Sequence, residues 1–260
     1  MRFKLYVLIL LFVSGFIIQG ATSNEILQND PSVKVDKLKN GLTYYIKNNK
    51  YPENRLELLL VVDTGSVMED EDQQGLAHFA EHMAFNGTAK YPKNELVDYL
   101  ESIGMQFGPD LNAYTSFDET VYMLQVPVND ESNVEKSFEI LSEWANYITF
   151  EDEEIDKERG VIIEEWRLGR GAESRIRDKK IPIYFKGSKY AERLPIGKKD
   201  IIENFDYNVI KRFYKDWYRT DLMAVVAVGD LEPDIIEKYI KKYFNQIEKQ
   251  IKPRERIIED

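Results

Sequence analysis

Histidine is used twice in 260 residues, and both copies fall in one short stretch, His78-Phe79-Ala80-Glu81-His82. Residues four apart share a helix face, so His78 and His82 can present their imidazoles to one ion. Glu81 lies one turn from His78 and can reach the same space. Imidazole plus carboxylate is a normal zinc shell, and a catalytic zinc takes three protein ligands and an open position for water. A carboxylate beside such a site takes the water's proton as general base. His-x-x-Glu-His is the reversed order of the commoner metal-dependent hydrolase helix motif. An incidental pair would require both histidines of the chain to land at ligand spacing around a glutamate by accident, so the metal reading is preferred.

The third ligand must come from elsewhere, and the stretch from Lys157 to Trp166 is the best source. Glu158 and Glu165 are seven apart and fall on nearly one helix face, while Glu164 is turned away by about a third of a circle. Two carboxylates separated by roughly 10 Å along a helix do not easily share one zinc, so one is expected to bind and the other to support. Val161 and Ile162 between them suggest a buried face. Glu151 to Glu154 read instead as a solvated acidic surface.

The elements that must position these groups follow from patterning. Strands are expected at Gly41 to Ile46, Leu56 to Val62, Asn112 to Thr115, Thr120 to Val126 and Leu222 to Val228. Leu56 to Val62 is nearly continuous in Leu and Val, as for a strand buried on both faces. Helices are expected at Gln74 to Phe85, Pro92 to Ile103, Val134 to Ile148, Glu153 to Arg167, Val209 to Tyr218 and Pro233 to Phe244. Early strands, middle helices and a late strand give an α+β fold: a mixed or antiparallel sheet covered by helices on one face.

Several ordered motifs resemble the pitrilysin/insulinase family of zinc peptidases. They are Gly75 through Thr88 around the two histidines, Asn112-Ala113-Tyr114-Thr115-Ser116 followed by Thr120-Val121-Tyr122, Glu158 through Glu165, Phe213 through Tyr218, and Val228-Gly229-Asp230. The resemblance runs from Val35 to Gln246 and points to the family's N-terminal catalytic domain. It implies one zinc per chain held by His78, His82 and Glu165, with Glu81 as base and Glu158 orienting the ligands. It also implies that Asn112 and Ala113 hold an extended or unfolded peptide as an added strand. The distance from His82 to the second glutamate helix is longer than usual in the family, with Met105 to Asp110 as part of the excess. Residue counting favours Glu158 as ligand; motif context selects Glu165. Family members carry a further homologous domain without the metal motif, so a second domain or partner chain is expected to complete the cleft. The contrasting reading is a non-catalytic binding or assembly subunit of the same fold, which would be free to lose the His-Glu-His-Glu set; a metal-binding protein of another fold is a third.

Composition sets the remaining bounds. A 43% hydrophobic and 31% charged chain has material for a sizeable core and is no membrane-embedded body. A net charge of -11 repels a phosphate backbone and argues against nucleic acid as partner. The absence of cysteine excludes disulfides, thiolate metal sites and a cysteine nucleophile. Arg2 and Lys4, the uncharged run from Leu5 to Ile18, then Gly20 and Ala21 read as a secretory signal. Residues 1–21 are taken as signal peptide, 22–32 as linker, 33–250 as the metallopeptidase domain and 251–260 as a linker or truncated tail. The expected location is secreted or periplasmic, with no stable membrane integration after cleavage and an anchored form if the signal is retained.

Overall fold

A computed structural model describes residues 30–93, 95–106 and 108–257. The expected signal peptide, most of the 22–32 linker and the last three residues of the tail lie outside the described residues. In chain order the strands are β1 (Lys34–Lys37), β2 (Thr43–Asn48), β3 (Arg55–Val62), β4 (Leu111–Thr115), β5 (Thr120–Pro127) and β6 (Met223–Gly229). The helices are α1 (Leu76–Asn86), α2 (Glu95–Ser102), α3 (Glu131–Asn146), α4 (Asp152–Leu168), α5 (Ala172–Tyr184), α6 (Lys199–Asn204), α7 (Tyr207–Trp217) and α8 (Pro233–Phe244).

The six strands form one mixed sheet in the order β1-β2-β6-β3-β5-β4. The pairing of β2 with β6 is parallel and the others are antiparallel. Register aligns the buried side chains in rows: Tyr44, Val225, Leu60 and Tyr122 form one, and Ile46, Ala227, Leu58 and Leu124 the next. These rows face the helices. Phe79 and Met83 of α1, Phe138 and Trp144 of α3, and Ile236, Ile240 and Phe244 of α8 are buried in the same core. Each large apolar side chain removed from water contributes about 1.5–3 kcal/mol.

The strand at 55–62 corrects one expectation. Leu56, Leu58, Leu60 and Val62 are buried, whereas Leu59 and Val61 are only partly covered and Glu57 is exposed. An apolar run therefore need not mean two covered faces; the alternation of exposure follows the pleat. Three elements were not anticipated. β1 is four residues, three of them charged, and lies at a sheet edge; α6 has only six residues. α5 carries Pro182 and buries no residue, so it has no apolar stripe to read.

The sheet also sets the position of the late segment. β6 lies between β2 and β3, so the chain from about residue 204 onward supplies the middle of the sheet. At the other end β4 pairs only with β5 and leaves one edge open.

Candidate metal centre and peptide cleft

The motif helix α1 lies over the β4–β5 end of the sheet and against α4. Its buried side is Leu76, Ala77, Phe79, Ala80, Met83 and Ala84, which turns His78 and His82 toward α4. Gly75 begins the helix at φ 105°, where no side chain can cap the first turn. Glu69 substitutes for that cap: its Oε1 accepts from the N–H groups of Gly75 (3.0 Å) and Ala77 (2.8 Å). Burial raises the Glu69 carboxyl to about 8 against the pull of those N–H groups and of Arg193. Arg193, also buried, donates its Nε–H to the Glu69 carbonyl. Gly197 then packs directly on Gly75. Nothing in the pattern of the sequence pairs residue 69 with residue 193.

At the heart of the site, His78 Nε2 and His82 Nε2 are 3.2 Å apart, and Glu165 Oε2 is 3.7 Å from each. Ligand atoms about 2.0–2.1 Å from a tetrahedral ion would stand roughly 3.3–3.4 Å from one another. The three atoms present fit that shell closely. Glu165 is about half exposed on the open side (its side chain is 45% accessible), so the expectation of a wholly buried glutamate face is corrected. The same holds for Val161, which is exposed, while Ile162 is fully buried. Exposure follows from the helix turning a carboxylate toward a cleft rather than toward the core.

Glu158, buried, lies behind the histidines with its Oε1 2.7 Å from His82 Nδ1. Its other oxygen accepts from Asn86 Nδ2 at 2.7 Å. Glu164 is exposed and paired with Arg167, as its angular offset predicted. Glu81 is buried beside the histidines, and the Thr115 hydroxyl donates to its Oε2 at 2.6 Å. Thr115, on β4, and Asn86, at the end of α1, are residues to which sequence reasoning gave no role. Both lie inside stretches that carry the family resemblance, which was the only available signal.

Electrostatics divide these groups. Burial, then the neighbouring His82, lowers His78 to about 3, leaving a neutral imidazole with a free lone pair. Burial also acts to lower His82, but the Glu158 carboxylate outweighs it and the net shift is upward. Burial raises the Glu81 carboxyl, with Thr115 pulling it back. Burial pushes Glu158 up as well, yet its bonds to His82 and Asn86 bring it below the ordinary carboxylate range.

One cleft of about 420 Å³ is lined by His78, Glu81, His82, Phe85, Asn86, Asn112, Ala113, Glu158 and Glu165. All seven residues singled out from the sequence thus border one space. On β4, Asn112 is exposed, and its Oδ1 accepts from the Ala113 N–H at 2.9 Å. The Ala113 N–H is thus engaged by the side chain of its neighbour. The arrangement can bind a divalent ion, hold a carboxylate next to it, and offer a strand edge alongside.

Comparison with known proteins agrees with this geometry. Residues 44–173 match the insulinase (peptidase family M16) profile, and residues 204–259 match the profile described as the peptidase M16 inactive domain. The second match contains β6, which belongs to the same sheet as the first. The chain is 43% identical over 223 residues to a probable zinc protease PqqL of Haemophilus influenzae, covering 86% of this chain and 24% of that one. It is 45% identical over 210 residues to a zinc protease PQQL-like protein of Arabidopsis thaliana, covering 80% and 22%. The chain therefore spans about a quarter of the length of these curated relatives. The crystal structure of the first half of the periplasmic protease PqqL from Escherichia coli superposes with a TM-score of 0.85 at 36% identity, covering 89% of this chain and 49% of that chain. Pitrilysin shares the fold at a TM-score of 0.74 and 20% identity, over 90% of this chain and 25% of that chain. With 130 matched residues carrying the histidine pair and both α4 glutamates, the chain belongs to the insulinase family of peptidases, family M16.

Proposed function

We propose that this chain is the metal-bearing domain of an exported zinc metalloendopeptidase that cleaves extended or unfolded peptides. The observation that carries the reading is the convergence of His78 Nε2, His82 Nε2 and Glu165 Oε2 at 3.2–3.7 Å, with the Glu81 carboxylate alongside. In this reading His78, His82 and Glu165 hold one zinc per chain. Bound zinc supplies Lewis acidity and a water of lowered pKa. Glu81, held through Oε2 by Thr115, keeps Oε1 free to accept the proton of the attacking water and return it to the leaving amine. Glu158 fixes His82 as the tautomer protonated at Nδ1, so that Nε2 presents its lone pair to the ion.

Asn112 and Ala113 take the substrate backbone as an extra strand on the open β4 edge. Backbone pairing selects conformation more than side chains, which suits unfolded peptides. A second homologous domain or partner chain closes the cleft; the partial coverage of every relative above supports this. The domain proper is taken as residues 33–250, preceded by a cleaved signal at 1–21 and a linker at 22–32, and followed by a linking tail at 251–260. The relatives described as periplasmic support a secreted or periplasmic location. Among the described residues no helix is long and apolar enough to cross a membrane.

The experiment is cleavage of a quenched fluorescent peptide by this chain alone and with the homologous second half added. Weak cleavage alone, restored by the second half and abolished in Glu81→Gln, is the expected result. Positioning by a closed cleft is worth several kcal/mol. Full activity of Glu81→Gln would remove the proposed base.

A further inference from the structure

Glu158 meets His82 through one oxygen, and a glutamate held by one oxygen is poorly fixed, because its terminal torsion has a broad, shallow minimum. The structure shows what holds the other. Asn86 Nδ2 donates to Glu158 Oε2 at 2.7 Å and also reaches the His82 carbonyl at 3.3 Å. Both neighbours are acceptors only, so the amide must turn its NH2 group, not its oxygen, toward them. Its two N–H bonds thus tie the Glu158 carboxylate to the backbone of the residue whose ring that carboxylate orients. The contrast with the other histidine is direct: His78 Nδ1 is buried without a protein partner among the described residues. All hydrogen-bonded control over imidazole orientation in this site runs through His82, Glu158 and Asn86.

We propose that Asn86 is a positioning residue of the metal centre, pinning Glu158 Oε2 so that Oε1 stays on His82 Nδ1–H and His82 Nε2 stays aimed at the ion. This rests on His78, His82 and Glu165 being the metal ligands. Asn86 sits where it can act this way because α1 ends on it: it is the last helical residue before Gly87, four residues after His82 and therefore above it on the same face. A hydrophobic residue there would leave Oε2 without its protein donor. An aspartate of the same shape would replace the donor by a second carboxylate facing the first.

The test is zinc affinity of this chain by competition with a chelating dye, with apo-protein thermal unfolding measured beside it. Asn86→Ala is expected to weaken zinc binding about 3- to 30-fold, less than the roughly 10- to 100-fold typical of a direct outer partner of a ligand, because Asn86 acts one step further out. Asn86→Asp is expected to weaken it more. The apo unfolding midpoint of Asn86→Ala should stay near that of the parent, because Asn86 is only partly buried. The deciding measurement is the double-mutant cycle with Glu158→Gln: once that carboxylate is gone, Asn86→Ala should cost little further affinity. Parent-like affinity in Asn86→Ala, or the same fold-loss with and without Glu158, would overturn the proposal. A parent chain that binds no zinc would sink the ligand assignment itself, and the proposal with it.

Discussion

Gly197→Ala is the sharpest perturbation available, because it tests whether the 193–197 segment sets the start of the motif helix. At φ +72° an added Cβ would lie 2.3 Å from Gly75 Cα, 2.5 Å from the Gln74 carbonyl oxygen and 2.6 Å from Gly75 N. All three are backbone atoms, so no side chain can rotate aside. The left-handed conformation alone costs an alanine about 1–2 kcal/mol. Forcing the two backbones apart adds about 1–3 kcal/mol, the usual cost of overpacking. A total of roughly 2–5 kcal/mol corresponds to a fall in Tm of about 5–20 °C for a domain of this size. The displacement has a direction as well: Gly75 is the residue before α1, three before His78, so the strain is relieved by moving the helix start and with it the His78 ring. Zinc affinity should fall together with stability. Gly104→Ala is the control, since it shares a positive φ of 87° but meets nothing within 4 Å. It should lose only the conformational cost, about 1–2 kcal/mol, and keep its zinc affinity. Denaturant unfolding of both apo-proteins and a zinc titration decide the matter. Equal losses in the two variants, or parent-like behaviour of Gly197→Ala, would refute the reasoning.

Other outcomes follow from the same geometry. Glu165→Gln should lose more zinc affinity than Glu158→Gln, whose effect is that of an outer partner, about 10- to 100-fold; the reverse order in competition titrations would reassign the ligand. Thr115→Val removes a hydrogen bond to a buried carboxylate and should lower kcat roughly 10- to 100-fold in the assembled enzyme, with Thr115→Ser recovering most of it; equal rates in all three would show that the Glu81 carboxylate needs no such anchor. Lys34, then Tyr44 and Lys241, hold the Glu237 carboxyl down at about 2 from its ordinary 4.5. A depressed carboxyl stabilises the fold above its unfolded value and loses that contribution as pH falls through the folded one. Glu237→Gln should therefore cost about 1 kcal/mol at pH 7 after solvent screening, and progressively less in urea melts taken between pH 4.5 and 2. A cost that does not change with pH would mean the charge is not the source.

The site was legible where chemistry and local period coincide. His78 and His82 at four-residue spacing, with Glu81 between them, could belong together on a helix without any knowledge of the fold. Glu158 and Glu165 could be placed on one face for the same reason, but which of them meets the ion depends on how α4 crosses α1, and no periodicity encodes that. The resemblance to a family supplied the choice of Glu165, whose Oε2 lies 3.7 Å from both histidine nitrogens. Residues acting across the chain were invisible. Arg193 donates to the Glu69 carbonyl across 124 residues, with both residues buried, and each alone reads as an ordinary surface charge. The place of β6 was equally hidden: Met223–Gly229 reads as a strand on its own, but its parallel partner β2 lies far away in sequence. α5 was missed because its stability does not come from a buried stripe, and stripes are what periodicity detects.

The central claim is that one ion is held by two imidazoles and the α4 carboxylate of Glu165. The zinc-to-protein ratio, measured by elemental analysis on the parent and on Glu165→Ala after zinc-replete expression and exhaustive dialysis, tests it most directly. About one zinc in the parent and well under one in the variant is the predicted result. No transition metal in the parent, or an undiminished ratio in Glu165→Ala, would contradict it.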